Sequence, residues 1–201
     1  MPNPHEAILE IFREAGALLE GHFLLSSGLH SPKYLQCALM LQDPTKAERL
    51  CRQLARAFAD DPIDLVLGPA MGGIIVAHEL ARALGARAIF AERENDKMTL
   101  RRGFSIGRGQ RVLLAEDVVT TGGSLREVLQ LARSAGADVL GIAALVDRTS
   151  GRDPEFGMPL VALVKLDVPT YLPEECPMCR EGVPLTKPGS RTAPGERKPV
   201  P

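Results

Sequence analysis

The sequence predicts an α/β fold in which a mostly parallel sheet is flanked by helices. Three observations lead to this prediction. From residue 63 onward, short apolar runs alternate with longer amphipathic ones, as strands and helices alternate in such folds. The short runs, such as VLLA at residues 112–115, are continuously apolar, as expected of parallel strands buried on both faces. Two of them lead directly into glycine-containing turns followed by amphipathic runs.

The first sixty residues predict two helices separated by a turn-rich segment. Apolar residues at helical spacing predict a helix over residues 4–19, and Gly21 is expected to end it. Residues 23–40 contain SSGLHSPKY between two short candidate strands. Asp43 then caps a second helix, with Pro44 at its first position.

The remaining elements follow in strand and helix order. Strands are predicted after residue 63 and over residues 87–91, 111–115, 138–146 and 160–165, with helices over residues 74–84 and 123–134. Residues 92–109, ERENDKMTLRRGFSIGRG, are charged and lack apolar periodicity. Loops of this length within a compact domain are uncommon and usually functional, so we expect a functional loop there.

Composition excludes several classes of function. The chain has 201 residues, a formal net charge of −1 and 45% hydrophobic residues, which suits one globular domain with a small appendage. The near-neutral charge gives no general attraction for nucleic acid or membranes. The most apolar region, residues 65–91, is too polar to span a bilayer, and no signal peptide is evident. We therefore expect a cytoplasmic protein with no nucleic-acid or membrane partner.

Two adjacent acids end the apolar run at residues 112–115. Glu116 and Asp117 are expected beyond the carboxyl end of a strand, where α/β sheets bind ligands, and they suit sugar hydroxyls or Mg²⁺. The following turn, Thr120, Thr121, Gly122, Gly123 and Ser124, offers hydroxyls and backbone N–H groups to an anion. Together they predict a ribose 5-phosphate site. The alternative is a capped helix beside solvated acids, while Rossmann and Walker A motifs do not fit the spacing.

The stretch VLLAEDVVTTGGS resembles the phosphoribosyl pyrophosphate (PRPP) motif of the type I phosphoribosyltransferases. This resemblance implies their fold, with a hood formed by the N- and C-terminal segments. It also implies that the two acids bind the ribose and that residues 120–124 hold the 5-phosphate. We accordingly divide the chain into an N-terminal helix and hood segment (1–42), a core (43–170), a C-terminal segment (171–186) and a disordered tail (187–201).

Three further stretches resemble the branch of this family that acts on orotate. The N-terminal hood of that branch is similar to FLLSSGLHSPKYLQ, which implies that Ser27 and Gly28 contact orotate. Its pyrophosphate loop is similar to LVLGPAMGGI, which implies that Gly72 and Gly73 bind pyrophosphate. ALVDRTSG resembles the strand end whose arginine, here Arg148, binds the orotate carboxylate, and the resemblance implies that Thr120 also contacts orotate. Judged from the residues alone, the stretch with Gly72 and Gly73 is equally consistent with a tight turn that needs glycine. Arg148 is likewise consistent with a surface arginine that pairs with Asp147. Lys33 and Tyr34 are weaker candidates.

The segment at residues 92–109 lies where this family carries its mobile catalytic loop. Arg93 and Lys97 match the family pattern, whereas Glu94 and Thr99 stand where a lysine and a histidine are usual. The resemblance implies that Lys97, Arg93 and Asp117 serve catalysis, and that the loop reaches the partner's site in a homodimer. The alternative is a solvated charged hairpin.

The resemblance implies transfer of a phosphoribosyl group from PRPP to orotate, with Mg²⁺ carried by PRPP rather than held by protein side chains. One rival is a purine or uracil phosphoribosyltransferase, whose base would leave Arg148 without an anionic partner. The other is a non-catalytic PRPP sensor, which would need a basic nucleic-acid surface.

The CPMC stretch at residues 176–179 has three interpretations. It is half of a zinc site, a redox pair that forms an occasional disulfide, or a plain turn with free thiols. Cys37 and Cys51 are expected in the core, and the four histidines, including His22 and His30, show no metal-binding spacing.

Overall fold

The computed structural model describes residues 4–25, 27–152 and 154–188. The first half contains helix α1 (Pro4–Glu14), strands β1 (Leu18–Leu24) and β2 (His30–Leu35), and helices α2 (Cys37–Leu41) and α3 (Pro44–Ala55). The sheet region contains β3 (Leu65–Pro69), α4 (Gly72–Leu84), β4 (Arg87–Glu94), β5 (Lys97–Thr99), β6 (Arg111–Val119), α5 (Gly123–Ser134), β7 (Asp138–Asp147) and β8 (Leu160–Lys165). A short helix, α6 (Pro177–Arg180), follows.

The central sheet has six strands in the order β5-β4-β3-β6-β7-β8. Every pairing is parallel except that of β5 with β4. This arrangement confirms the predicted α/β class with a mostly parallel sheet. The antiparallel edge strand β5 comes from the segment that we expected to be a loop.

Both faces of the sheet are covered, which explains the continuously apolar strands. Leu113 and Ala115 of β6 face a core formed with α1, α3 and α4, whereas Val112 and Leu114 face a second core formed with α5. All four side chains are buried. Alternating residues of one strand thus enter two different cores, so an apolar residue is required at every position.

An ion pair fixes the amino-terminal ends of β3 and β6. The Asp64 carboxylate accepts hydrogen bonds from the backbone N–H, Nε and Nη2 of Arg111, at 3.0, 2.9 and 2.6 Å. These bonds hold the pKa of Asp64 below its usual range. The pair ties together the two strands whose opposite ends carry the glycine-rich turn and the acidic pair.

Three predicted boundaries were wrong. The first helix ends at Glu14 rather than at Gly21, because the chain turns at Gly16, with φ of 63°, and residues 18–24 pair with β2. Strand β6 extends to Val119, so the acidic pair lies within the strand instead of beyond it. The segment at residues 92–109 begins as a β4–β5 hairpin, whose two-residue turn has positive φ values of 48° and 62°.

The hood predicted from both ends of the chain is present. Strands β1 and β2 form an antiparallel hairpin, and the C-terminal segment adds bridges between Phe23 and Thr186 and between His30 and Tyr171. The boundaries of the four predicted segments remain predictions, and the tail beyond residue 188 lies outside the described residues. Within the described ranges, no helix combines the length and apolarity needed to cross a bilayer.

Candidate active site

The strand order creates a crevice between β3 and β6. From β3 the chain passes through α4 to β4 on one side, and from β6 it passes through α5 to β7 on the other. In open α/β sheets, ligands bind at the carboxyl ends of the strands where the order reverses in this way. The two glycine-rich turns follow β3 and β6, so the topology brings both predicted turns to this crevice.

Glu116 and Asp117 lie in the second half of β6, at the crevice. The Asp117 backbone N–H donates to Glu116 Oε1 at 3.2 Å, and the Val118 N–H donates to Asp117 Oδ1 at 2.8 Å. Burial, together with repulsion from Asp117, raises the pKa of Glu116 well above its usual value, and burial also raises the pKa of Asp117. In the described chain neither carboxylate has a Lys or Arg partner. The pair is therefore prepared for hydroxyl donors or a cation.

The turn after β3 packs against this acidic pair. A Cβ atom on Gly72 would meet the Asp117 carboxylate, and one on Gly73 would lie 3.1 Å from Glu116 Oε1 and 2.8 Å from Pro69 Cδ. These contacts are too close for a side chain, so glycine is needed for packing at both positions. The two motifs that we predicted separately thus form one site.

Two helix N-termini open onto the crevice without side-chain caps. Within the described residues, neither α4 nor α5 has a side-chain hydrogen bond at its N-cap, whereas Asp43 caps α3 through the N–H groups of Thr45 and Lys46. Gly122, the residue before α5, has φ of 73°, a conformation that favours glycine. Free N–H groups and the helix dipole make each N-terminus an anion site. Two such sites flank the acids, which suits a ligand with phosphate groups at both ends.

The hydroxyl residues of the second turn occupy the expected position. Thr120 and Thr121 are exposed between β6 and α5, and Ser124 lies in the first turn of α5. The Thr121 carbonyl accepts a hydrogen bond from Arg126 Nη1 at 2.8 Å, which fixes the turn. Residues 120–124 therefore form one continuous rim around the N-terminus of α5.

Arg148 follows β7 and is partly buried. Its backbone N–H donates to the Val119 carbonyl at 2.8 Å, which holds it beside the end of β6. Burial lowers the pKa of Arg148, and within the described chain its guanidinium has no hydrogen-bond or ion-pair partner. Asp147 instead accepts the N–H of Thr149, at 2.9 Å. The alternative of a surface Arg148–Asp147 pair is therefore wrong, and the cation is available to a ligand.

Tyr34 and Cys37 border the same crevice. Burial raises the pKa of both groups. The negative charge of Asp117 raises both pKa values further and the positive charge of Arg148 lowers them, while Glu116 also raises the pKa of Cys37. Sequence reasoning ranked Tyr34 low and treated Cys37 only as a core residue. No local pattern could have found Cys37, because its position depends on how α2 packs. Lys33 pairs with Glu20 at 3.2 Å.

The basic residues of the hairpin segment differ in availability. Arg93 is bound to Glu127 on α5, with Nη2 and Oε1 2.6 Å apart, while Arg101 and Arg102 pair with Glu94 and Glu92. Lys97 is exposed and has no ion pair among the described residues. Of the two predicted loop cations, only Lys97 is therefore unengaged.

Ser27 and Gly28 lie at the exposed tip of the β1–β2 hairpin. The Gly28 N–H donates to the Leu25 carbonyl at 3.0 Å, and Ser27 Oγ accepts the Leu29 N–H at 3.4 Å. No hydrogen bond joins this tip to Arg148 in the described chain. Their contact with orotate remains a prediction.

Two of the four histidines, which show no metal-binding spacing in the sequence, meet in the fold. His22 on β1 and His30 on β2 face each other, with His22 Nε2 and His30 Nδ1 2.8 Å apart, and both contact the cysteines of CPMC. The hairpin and the C-terminal segment bring them together across more than 140 residues. Cys37 and Cys51 are buried, as expected.

Comparisons with known proteins found similarity over most of the chain. Residues 39–161 match the family described as the phosphoribosyl transferase domain. The chain is 56% identical over 186 residues to an orotate phosphoribosyltransferase of Pelotomaculum thermopropionicum, covering 92% of this chain and 97% of that protein. A Caldanaerobacter subterraneus protein of the same name is 55% identical with the same coverage.

A solved structure is also similar. The orotate phosphoribosyltransferase from Aeropyrum pernix has 28% sequence identity and a TM-score of 0.65, covering 79% of this chain and 93% of that one. Each of these comparisons covers most of the chain. The similarity therefore extends beyond the PRPP-like motif to the sheet and its flanking elements.

Proposed function

The chain belongs to the orotate phosphoribosyltransferases, and we propose that it carries out their reaction in the crevice between β3 and β6. Orotate and PRPP give orotidine 5-phosphate and pyrophosphate, a step in pyrimidine synthesis. The bond from ribose C1 to pyrophosphate breaks, and a bond from ribose C1 to a ring nitrogen of orotate forms. The proposal includes a cytoplasmic location, which suits phosphorylated, highly charged substrates.

The acidic pair holds the ribose in this proposal. Ribose hydroxyls donate to the carboxylates of Glu116 and Asp117, which have no competing cationic partner in the described chain. The 5-phosphate binds the N–H groups and hydroxyls of residues 120–124, and pyrophosphate binds at the turn containing Gly72 and Gly73. The uncapped N-termini of α4 and α5 support both assignments.

Catalysis comes from positioning and charge rather than from a covalent intermediate. As the bond to pyrophosphate breaks, the ribose becomes positively charged, and Asp117 at its hydroxyls favours that charge. Pyrophosphate gains negative charge, which Lys97 stabilises on loop closure, while Arg93 must first leave Glu127 to contribute. Closure also excludes water, which would otherwise hydrolyse the sugar donor.

The crevice fits Mg²⁺ held mainly by the substrate. The ion prefers oxygen ligands and is commonly bound through substrate phosphates with one or two carboxylates, and the unpaired acids offer such oxygens. When bound, Mg²⁺ neutralises charge on the departing pyrophosphate. Glu116 and Asp117 would supplement the phosphate oxygens of PRPP, which would remain the principal ligands of the ion.

The proposal includes a homodimer in which residues 93–109 close over the partner's crevice. Lys97 is exposed on an edge hairpin and has no ion pair in the part of the chain that the structure describes, which supports this arrangement. Mixing two inactive variants, Lys97→Ala and Glu116→Gln, tests it. If the loop acts across the dimer, half of the random dimers are mixed and each has one intact site, which restores about a quarter of wild-type activity. Mixtures without restored activity would place the loop at its own site.

The choice of orotate as the base rests on Arg148 at the end of β7, whose partly buried guanidinium has no partner among the described residues. A buried cation without a partner is unfavourable, so its site requires an anionic ligand. Orotate supplies a carboxylate, whereas uracil and the purine bases do not. Turnover of orotate, uracil, adenine and hypoxanthine with PRPP and Mg²⁺ tests the assignment: equal or faster turnover of any base lacking a carboxylate would contradict it.

A further inference from the structure

We propose that His22, His30, Cys176 and Cys179 form a structural zinc site that fastens the C-terminal segment to the β1–β2 hairpin. Each residue offers one ligand atom, and these four atoms all lie within 4.8 Å of one another. The site is separate from the crevice between β3 and β6. It uses none of the residues assigned to PRPP or orotate.

The distances between the ligand atoms fit a tetrahedral zinc ion. Zinc bonds to sulfur and nitrogen of about 2.3 and 2.0 Å place tetrahedral N–S pairs about 3.5 Å apart and N–N pairs about 3.3 Å apart. His22 Nε2 lies 3.5 and 3.7 Å from the sulfurs of Cys176 and Cys179, and His30 Nδ1 lies 3.3 Å from Cys179 Sγ. The two ring nitrogens, 2.8 Å apart, separate slightly on metal binding.

A hydrogen bond outside the cluster prepares His22 as a ligand. His22 Nδ1 lies 2.8 Å from the Val183 carbonyl, which can only accept, so this nitrogen carries the proton. The Nε2 lone pair therefore points at the cysteines. Fixing the tautomer through the second ring nitrogen is the usual support of a zinc-bound histidine.

Burial and charge also favour a metal. His22, His30 and Cys176 are at most 5% exposed, while Cys179 faces solvent and offers an entry path. Zn²⁺ with two thiolates and two neutral imidazoles has no net charge, so it can be buried without an uncompensated ion. Without metal, the only close contact between the rings is one His30-to-His22 hydrogen bond, beside two reduced thiols.

The proposed ion joins parts of the chain that are distant in sequence. His22 and His30 flank the hairpin tip, and the cysteines lie at the start and within α6. In the described chain this segment is also held by the backbone hydrogen bonds of the bridges at Phe23–Thr186 and His30–Tyr171. The zinc therefore acts as a clamp that fixes the hood relative to the C-terminal segment.

The test measures metal bound to the purified full-length chain. We expect elemental analysis by inductively coupled plasma mass spectrometry to find about one zinc per chain. Cys179→Ala and His30→Ala should lose it, whereas Cys51→Ala and His78→Ala, a buried cysteine and an exposed histidine outside the cluster, should retain it. Chelation should lower the Tm of the wild type by on the order of 10 °C and leave Cys179→Ala unchanged.

A second measurement does not depend on how well the variants fold. Zinc-stripped wild type titrated with Co²⁺ should show the absorption bands of tetrahedral cobalt with sulfur ligands, saturating at about one ion per chain. Wild type that binds neither zinc nor cobalt would overturn the proposal. A Cys176–Cys179 disulfide in freshly purified protein would also overturn it. The same would follow if Cys51→Ala lost as much metal as Cys179→Ala.

The clamp has one catalytic consequence, which rests on the proposed function. Because His22 and His30 flank Ser27 and Gly28, removing the metal should raise the KM for orotate more than that for PRPP. If the chain binds metal but removing it changes neither the KM for orotate nor that for PRPP, the zinc site is supported. Only the proposed contact between the hood and orotate is then refuted.

Discussion

Replacing Arg148 tests how this chain selects its base. The guanidinium is partly buried and has no partner in the described chain, so a carboxylate in the crevice can accept two N–H···O bonds from it. Each bond to a charged group contributes about 1.5–3 kcal/mol. Because Arg148 retains some contact with solvent, we take the lower end for both bonds, about 3 kcal/mol in total, or roughly 150-fold in kcat/KM.

The assay compares two bases in one variant. Arg148→Met should reduce kcat/KM for orotate by roughly 150-fold and change that for uracil by less than about twofold, since uracil has no carboxylate. Arg52→Met, on the exposed side of α3, is the control and should change neither. Removing a cation whose pKa is lowered by burial should not lower the Tm. Equal losses for orotate and uracil would refute the assignment.

Three further predictions concern the acids, the loop and the phosphate turn. Burial raises the pKa of Glu116, so the folded chain holds that proton more tightly than the unfolded chain, and stability falls as pH rises through the raised pKa. Glu116→Gln should therefore raise Tm relative to wild type by an amount that grows from about pH 4.5 upward, while weakening PRPP binding in calorimetry; a Tm difference independent of pH would contradict this. Lys97→Ala should lower kcat about a hundredfold in steady-state assays, and a change within about twofold would remove Lys97 from catalysis. Gly122→Ala should lower Tm, because φ is 73° and a Cβ would lie 2.7 Å from Phe156 Cζ, whereas Gly123→Ala has space for the methyl group and should retain Tm; equal melting temperatures for the two variants would show that this packing argument is wrong.

The acidic pair and the glycine turns could be predicted because their information is local. Glu116 and Asp117 follow an apolar run and precede a glycine-containing turn. This order alone places them beside a helix N-terminus, toward the carboxyl end of a strand. Their contact with Gly72 and Gly73 required the sheet order, in which β3 and β6 are neighbours. The sequence predicted both motifs, but only the fold joins them.

Other features depend on tertiary contacts and could not be predicted. Leu18 fits the apolar spacing of the first helix, yet it pairs with Leu35 in the hairpin, because strand pairing outweighs local helical preference here. His22 and Cys176 meet across 154 residues. The C-x-x-C spacing of Cys176 and Cys179 indicates half of a metal site, but the sequence around His22 and His30 does not indicate the other half. A pattern search within short windows cannot detect such a cluster.

A crystal structure of the full chain with PRPP and Mg²⁺ would show directly where the sugar donor binds. We expect the ribose hydroxyls within about 3 Å of the Glu116 and Asp117 carboxylates, and the 5-phosphate at the N-terminus of α5. The pyrophosphate should lie at the N-terminus of α4. A sugar donor bound away from the crevice between β3 and β6, with both helix N-termini free of phosphate, would show that this crevice is not the active site.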